Sequence, residues 1–201
     1  ARGGGSSQCG QTVGESVVLD YSKHQNKILE LNVKEKYAWV QPGVVLDHLN
    51  AYLKPYGLWF PVDVSTSSRA TIGGMSANNS CGSRSLYYGN MVHNVLAIEA
   101  ILDDGSIFNF DQINKNYLAV KNNQDRLYKI IDKFIDVRQR VGNEIDTNWP
   151  KTQRRVGGYN IDLIDPEGFN TSNLLVGSEG TLSLFNKIKL KLSEIPKNKI
   201  L

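Results

Sequence analysis

The most distinctive stretch of the sequence lies at residues 61–89, PVDVSTSSRATIGGMSANNSCGSRSLYYG. The stretch lacks a long apolar run, and it combines glycines with many hydroxyl side chains and the pair Asn78-Asn79. Crowded backbone N–H groups and small polar side chains are typical of loops that carry function on a rigid scaffold. We therefore expect the main chain to approach a polar ligand here, and a ligand with phosphate groups is the natural candidate.

Composition and charge exclude several classes of function. The chain has 201 residues, of which 40% are hydrophobic and 21% charged, and it is long enough for one core or two small lobes. Its formal net charge is +3. This mild charge suits a small anionic ligand but not a nucleic acid, which calls for a basic stripe. The two cysteines, Cys9 and Cys81, lie in separate loop-like segments without metal-ligand spacing. We expect free thiols and no metal site.

The start of the sequence is a second glycine-rich segment, RGGGSSQCGQT at residues 2–12. Successive glycines adopt conformations closed to other residues and form a nest for an anion. The dinucleotide fingerprint G-x-G-x-x-G fails because Gln8 stands where the third glycine belongs, and the P-loop pattern fails because Gln11 replaces the lysine. A flexible tail or a plain turn stays open as the alternative for this segment alone.

Hydrophobic periodicity predicts a mixture of short strands and a few helices. Strands are predicted at residues 16–20, 27–33, 36–41, 94–102, 106–110 and 183–192, with a hairpin turn at 103–105. Helices are predicted at 44–54 and 123–141. Thr71 is a candidate N-cap of a short helix whose first turn, at Gly73-Gly74, would leave N–H groups open to an anion or a flat ring.

Two further segments combine glycines with polar residues. Residues 174–182, LLVGSEGTL, are predicted as a strand, a glycine turn and the start of another strand. Residues 154–160, RRVGGYN, place two arginines beside a glycine pair. Whether these arginines are ordinary surface charges or face a ligand stays open from the sequence.

Taken together, these segments resemble the FAD-binding domain of the vanillyl-alcohol oxidase and cresol methylhydroxylase superfamily. The resemblance is carried by RGGGSS at 2–7, TIGGM at 71–75, NNSCG at 78–82, YG at 88–89 and GSEGTL at 177–182. The nearest branch is that of the FAD-linked D-2-hydroxy-acid dehydrogenases, which includes D-lactate dehydrogenases and glycolate oxidase subunits. Residues 40–50, 55–74 and 154–160 also resemble a subgroup in which this domain belongs to a much larger polypeptide, often with an iron–sulfur module.

The resemblance implies an α+β domain with FAD between two lobes, at about residues 1–60 and 61–192, followed by an exit linker at 193–201. It also implies a piece of a longer chain, with the cap domain that contacts the substrate absent and no catalytic acid or base assigned. The implied cofactor-binding residues are Gly3, Gly4, Gly5, Ser6, Ser7, Gly10, Pro61, Asp63, Thr71, Gly73, Gly74, Asn78, Asn79, Ser80, Cys81, Gly82, Tyr88, Gly89, Glu179, Gly180, Thr181 and Leu182.

Two departures from the family pattern matter. The pyrophosphate loop has no histidine, which members with covalently attached flavin often use, so we expect noncovalent FAD. His93 stands where the subgroup usually has an acidic residue, and we interpret it as an incidental loop histidine.

The resemblance implies that the chain is the FAD-binding portion of an oxidoreductase that removes a hydride from a small 2-hydroxy acid such as D-lactate or glycolate. An electron acceptor or an iron–sulfur module is an expected partner in the full-length protein. One alternative is a nonenzymatic flavin- or nucleotide-binding module, inert without its neighbours. A cell-wall precursor reductase of the same flavin fold is another alternative, but its motifs are missing.

No apolar run is long enough to span a bilayer and no signal-peptide pattern is present. These two features favour a cytoplasmic protein, and peripheral membrane association stays open as an alternative.

Overall fold

The computed structural model describes residues 1–8, 13–118 and 125–198 of the chain. It has an α+β fold whose main sheet contains five antiparallel strands in the order β1-β2-β6-β4-β5. A second sheet pairs β3 with β7. The strands are β1 (Ile28–Asn32), β2 (Tyr37–Val40), β3 (Leu58–Trp59), β4 (Val95–Ile101), β5 (Ile107–Phe110), β6 (Leu184–Lys191) and β7 (Ser193–Glu194).

The described residues form short helices and one long one. They are α1 (Leu46–Leu53), α2 (Ile72–Ala77), α3 (Ser85–Tyr88), α4 (Met91–Asn94), α5 (Lys115–Leu118), α6 (Arg126–Arg140) and α7 (Gly142–Asn148). Short 3-10 helices lie at Lys54–Tyr56, Ile161–Leu163 and Thr171–Leu174. None of the helices in the described ranges is long and apolar enough to cross a membrane.

Most of the predicted elements are confirmed. The predicted strands at 27–33, 36–41 and 183–192 are β1, β2 and β6, and the predicted hairpin is β4 and β5. At that hairpin Gly105 has φ +82°, the left-handed conformation that such a turn requires and that glycine adopts freely. The predicted helices are α1 and α6, apart from residues 123–124, which lie outside the described residues.

Two predicted strands are wrong. Residues 16–20 form no strand, and only Asp20 makes an isolated parallel bridge, with Arg2. Their apolar side chains do not enter a core, since Val17 is 86% exposed. Leu174 is the last residue of a 3-10 helix, and Leu175 and Val176 lie in the turn that follows it. All three are buried in succession, which the alternating pattern of a half-buried strand does not allow.

The main core lies between one face of the five-stranded sheet and helices α1 and α2. Its fully buried members come from both regions and include Val40, Leu49, Leu53, Ile72, Ile98, Ile188 and Leu190. A smaller cluster forms under α6, where Ile131 meets Ile164 and Phe169. α6 begins at the N-cap Asp125, whose carboxylate accepts the N–H of Leu127 over 2.9 Å.

The sheet joins strands from both sides of residue 60, because β1 and β2 precede that residue and β4, β5 and β6 follow it. The boundary between two lobes at residue 60 is therefore not a boundary within the sheet, and the two-lobe division stays a prediction. The predicted exit linker begins with β7, whose residues Ser193 and Glu194 pair with Trp59 and Leu58.

Candidate functional site

Helix α2 organises the site, and its start is fixed by the predicted cap. Thr71 has an extended conformation, and its Oγ1 accepts the N–H of Gly74 over 3.3 Å. The N–H of Ile72 donates to the carbonyl of Val44, and that of Gly73 donates to the carbonyl of Pro42 over 2.7 Å. The prediction that this first turn offers free N–H groups to a ligand is therefore wrong, because the carbonyls of Val44 and Pro42 and the hydroxyl of Thr71 already accept them.

The glycine loop at residues 3–5 packs against the segment that leads into α2. A Cβ atom on Gly3 would overlap the side chain of Thr71, and a Cβ atom on Gly4 would overlap the carbonyl of Arg69. Gly5 has φ +62°, a conformation that favours glycine. Glycine is therefore required at these positions because the two protein segments approach each other closely. This close approach places the loop beside the start of α2.

The main chain of this loop has free hydrogen-bond donors. The loop is anchored by a bond from the Arg2 N–H to the carbonyl of Leu19 over 2.8 Å. Beyond that anchor, the N–H groups of residues 3–6 donate to no acceptor in the described part of the chain. Consecutive unpaired N–H groups at one concave surface form an anion-binding nest. The anion nest predicted for this loop is compatible with these free donors and stays a prediction.

A cavity of about 480 Å³ extends from the glycine loop along α2 to the turn at residues 177–181. Twelve of the predicted cofactor-binding residues line it: Gly3, Gly4, Gly5, Ser6, Ser7, Thr71, Gly73, Gly74, Asn78, Ser80, Glu179 and Gly180. The three glycine-rich segments that the sequence singled out therefore meet at one cavity, although they are separated by tens of residues along the chain.

The turn at residues 177–181 is held against the C-terminal end of α2. The N–H of Gly177 donates to the carbonyl of Ser76 over 2.9 Å, and that of Glu179 donates to the carbonyl of Ala77 over 2.8 Å. Gly177, Glu179 and Gly180 all have positive φ, at +84°, +52° and +74°. Burial raises the pKa of the Glu179 carboxyl above its ordinary value.

Nine other predicted cofactor-binding residues do not line this cavity: Pro61, Asp63, Asn79, Cys81, Gly82, Tyr88, Gly89, Thr181 and Leu182. Several have a clear structural role. Asp63 accepts the N–H of Arg84 over 3.1 Å and the hydroxyl of Ser83 over 2.8 Å, and a Cβ atom on Gly82 would overlap Asp63. Asp63 therefore orders the turn after Cys81. Gly10, the remaining predicted residue, lies outside the described residues.

Asn79 is also structural. It is fully buried with φ +52°, and its Oδ1 accepts the N–H of Val92 over 3.0 Å. Asparagine tolerates this left-handed conformation better than most residues. Among the others, Tyr88 packs edge-on against Trp59 with 5.4 Å between ring centroids, and Leu182 packs against the main core.

Sequence reasoning missed a group of cavity residues. These are the apolar or aromatic residues Val13, Val17, Val18, Tyr21, Pro42, Val64, Ala70 and Phe185, and the hydroxyl residues Thr66 and Ser183. The valine pair at 17–18 is the available sequence signal, but its apolar pattern predicts a strand. The Oγ of Ser183 is buried, and it has no hydrogen-bond partner among the residues that the structure describes.

The arginines of RRVGGYN do not line the cavity. Arg155 pairs with Asp162 over 2.5 Å and lies 5.2 Å from the ring of Trp149, while its carbonyl accepts the Nδ2 of Asn90. Arg154 donates to the carbonyl of Gly82 over 2.9 Å. These contacts fasten residues 154–155 to the segment that follows Cys81, which is a structural role.

His93 also has a structural contact, as the partner of a helix cap. Its Nδ1 accepts the N–H of Asn90 over 3.0 Å at the start of α4. Burial lowers the pKa of His93, and the neighbouring Arg155 lowers it further. Across residues 1–8, 13–118 and 125–198, no group of three or more His, Cys, Asp or Glu side chains is placed to hold a metal ion.

Comparisons with known proteins agree on a flavin-binding fold. Residues 1–111 match the family model described as "FAD binding domain". The D-2-hydroxyglutarate dehydrogenase of Haemophilus influenzae is 36% identical over 210 residues, covering 100% of this chain and 20% of that protein. The probable mitochondrial D-lactate dehydrogenase of Danio rerio is 29% identical over 178 residues, covering 89% of this chain and 26% of that protein.

A solved structure of alkyldihydroxyacetonephosphate synthase has a TM-score of 0.62 at 20% sequence identity, covering 98% of this chain and 29% of that chain. This likeness concerns the fold alone. The chain spans about a fifth of the length of the D-2-hydroxyglutarate dehydrogenase that it matches.

Proposed function

Because the chain belongs to the FAD-binding domain family, whose model matches residues 1–111, we propose that the cavity along α2 binds FAD without a covalent bond. The observation that carries this proposal is the run of N–H groups at residues 3–6, which line the cavity and donate to no acceptor among the described residues. The diphosphate of FAD is an anion of the kind that such a nest accommodates.

The other cavity residues fit the same ligand. The buried Oγ of Ser183 supplies a hydroxyl without a protein partner, and the valines at 13, 17 and 18 supply an apolar surface for an aromatic ring. Among the described residues that line the cavity there is no histidine, the side chain that family members with covalently attached flavin often use in the pyrophosphate loop. This composition supports noncovalent binding.

We also propose that the longer polypeptide oxidises D-2-hydroxyglutarate in preference to D-lactate or glycolate. The support is the higher identity to a D-2-hydroxyglutarate dehydrogenase, 36%, than to the probable D-lactate dehydrogenase, 29%. When bound, FAD would supply the hydride acceptor for the hydroxyl-bearing carbon of the substrate, and the residues of this chain that line the cavity would hold and orient the flavin.

The residues that contact the substrate are proposed to lie outside these 201 residues. The proposal includes an iron–sulfur module or another electron acceptor in the longer polypeptide, a cytoplasmic location and peripheral association with the inner face of the membrane.

Turnover by the longer polypeptide tests the substrate proposal. D-2-hydroxyglutarate, D-lactate and glycolate would be compared with an artificial electron acceptor after the protein has been loaded with FAD. We expect the highest kcat/KM for D-2-hydroxyglutarate, and a preference for D-lactate or glycolate would contradict the proposed substrate. Retention of FAD by the 201-residue chain through gel filtration, with release on denaturation, separately tests the noncovalent cofactor.

A further inference from the structure

A second cavity, of about 590 Å³, is lined by the C-terminal end of α6, by α7 and by residues 162–166. None of its lining residues also lines the cavity along α2. The proposed cofactor site therefore does not account for it. Its volume falls in the range of about 300–1,000 Å³ that is usual for small-molecule sites.

Arg138, on α6, is a cation in the wall of this cavity with part of its hydrogen-bonding capacity unused. Its side chain is 19% exposed, and its Nη2 donates to the exposed carboxylate of Asp146 over 2.9 Å. Its Nε is buried and has no hydrogen-bond partner among the residues that the structure describes. Unpaired buried donors are destabilising and rare in folded proteins, so an acceptor supplied by a ligand would be favourable here.

Asp162 has the complementary need. Its side chain is 16% exposed, and its Oδ2 pairs with Arg155 over 2.5 Å. Its Oδ1 is buried without a donor from any residue in the described ranges. The terminal torsion of an aspartate is broad, so Oδ1 can turn toward a ligand in the cavity. A ligand that carries both a donor and an acceptor would therefore satisfy Asp162 and Arg138 together.

The charges at the cavity restrict the ligand further. Asp146 and the exposed Asp165 also line it. Together with Arg138, Asp162 and its partner Arg155, these side chains carry an excess of one negative charge, which disfavours an anion. A zwitterion matches both signs, because its cation would lie near the aspartates and its anion near the arginine of the wall.

We propose that this second cavity binds a free α-amino acid with an apolar side chain. The ammonium group would donate to Asp162 and Asp165, and the carboxylate would accept from Arg138. The side chain would contact Leu163 and Pro166, which supply an apolar part of the wall. The site is independent of the proposed binding of FAD, since the two cavities have no lining residue in common.

Titration calorimetry of the 201-residue chain with L-leucine tests this site. We expect saturable binding of one leucine per chain, with and without FAD, and a melting temperature that rises with leucine concentration. Leucinamide lacks the carboxylate and 4-methylpentanoate lacks the ammonium group, so each should bind at least tenfold more weakly than leucine. Absence of leucine binding by a chain that melts cooperatively would overturn the proposal, as would equal binding of either analogue.

Arg138→Gln should weaken leucine binding at least tenfold, because it removes the cation that meets the carboxylate. Arg140→Gln is the matched control, since Arg140 lies on the same helix, pairs with Asp136 at the surface and does not line the cavity. This control should keep the leucine affinity of the wild type. Equal losses in the two variants would assign the effect to net charge and contradict the site.

Asp165→Asn provides a second variant that is expected to fold. The Oδ1 of Asp165 accepts the N–H of Glu167 over 2.9 Å, and an asparagine keeps this acceptor while it removes the charge. Leucine binding should weaken about threefold to tenfold, and FAD affinity should stay unchanged. Wild-type leucine affinity in folded Arg138→Gln and Asp165→Asn chains would overturn the proposal.

Discussion

The side chain of Thr71 fills the space that a Cβ atom on Gly3 would need, while its Oγ1 accepts the N–H of Gly74. One threonine thus caps α2 and also sets how closely the glycine loop approaches the helix. The cap and the proposed diphosphate site depend on the same few atoms, so substitutions there affect stability and ligand binding together.

The variant Gly3→Ala should displace the glycine loop. The new methyl group would overlap Thr71, and overpacking of this kind lowers the free energy of unfolding by about 1–3 kcal/mol. FAD affinity should fall at least tenfold because the N–H groups of residues 3–6 move with the loop. Gly157→Ala is a suitable control, since its Cβ would meet nothing within 4 Å. Chemical denaturation and FAD titration measure the two effects, and unchanged affinity in a folded Gly3→Ala chain would argue against the nest.

Thr71→Ala should remove the cap of α2 and lower the free energy of unfolding by about 1 kcal/mol. Thr71→Ser, which retains the Oγ atom, should stay close to the wild type. Because alanine at 71 also removes the atom nearest to a Cβ on Gly3, the double variant with Gly3→Ala should lose less stability than the sum of the single variants. Strict additivity in this double-mutant cycle would show that the two sites are not coupled.

Arg2→Gln should weaken the binding of phosphate-containing ligands. Arg2 lines the cavity, and its Nη2 lies 3.1 Å from the position of a Cβ on Gly5, beside the proposed nest. Loss of this charge should weaken FAD and ADP binding by about threefold to tenfold and reduce its salt dependence. Riboflavin, which has no phosphate, should bind equally to both proteins. Arg140→Gln on α6 removes the same charge outside the cavity, and an equal effect there would point to net charge alone.

Stability should decrease as pH falls below neutrality, in part through His93. Its folded-state pKa is lowered by burial and by Arg155, so the unfolded chain binds the proton more readily and the free energy of unfolding rises with pH. Protonation of Nδ1 would also break its bond to the Asn90 N–H. The contribution is present above the ordinary histidine pKa and is lost as pH falls through the folded pKa.

His93→Gln should therefore reduce the dependence of the free energy of unfolding on pH between about 7.5 and 5.5, a window that spans the ordinary histidine pKa. His48→Gln, at an exposed position on α1, provides the comparison. Equal pH dependence in the wild type and in His93→Gln would exclude His93 as the source.

The sequence was informative wherever function depends on local chemistry. The cap at Thr71, the turn at Gly105 and the glycine loop all follow from residue types over a few positions. The prediction of a free N–H group at Gly73 is wrong because the carbonyl of Pro42, 31 residues earlier, accepts that hydrogen bond. The roles of Asp63 and Asn79 likewise depend on contacts with Arg84 and Val92, which periodicity does not show.

The cavity also explains why residues 16–20 have the apolar pattern of a strand without forming one. An apolar run predicts burial, but it does not say whether the buried surface is a protein core or a bound ligand. Val17 and Val18 line the cavity, and neither residue belongs to a strand of the two described sheets. An apolar segment of this kind directly after a glycine loop is a useful indication of a ligand surface.

Titration of the 201-residue chain with FAD tests the central claim most directly. Calorimetry should show saturable binding of one FAD per chain, and the melting temperature should rise with FAD concentration because the ligand binds the folded state. ADP should compete for the site because it carries the diphosphate. Absence of FAD binding by a chain that melts cooperatively would contradict the assignment of the cavity along α2 as the cofactor site.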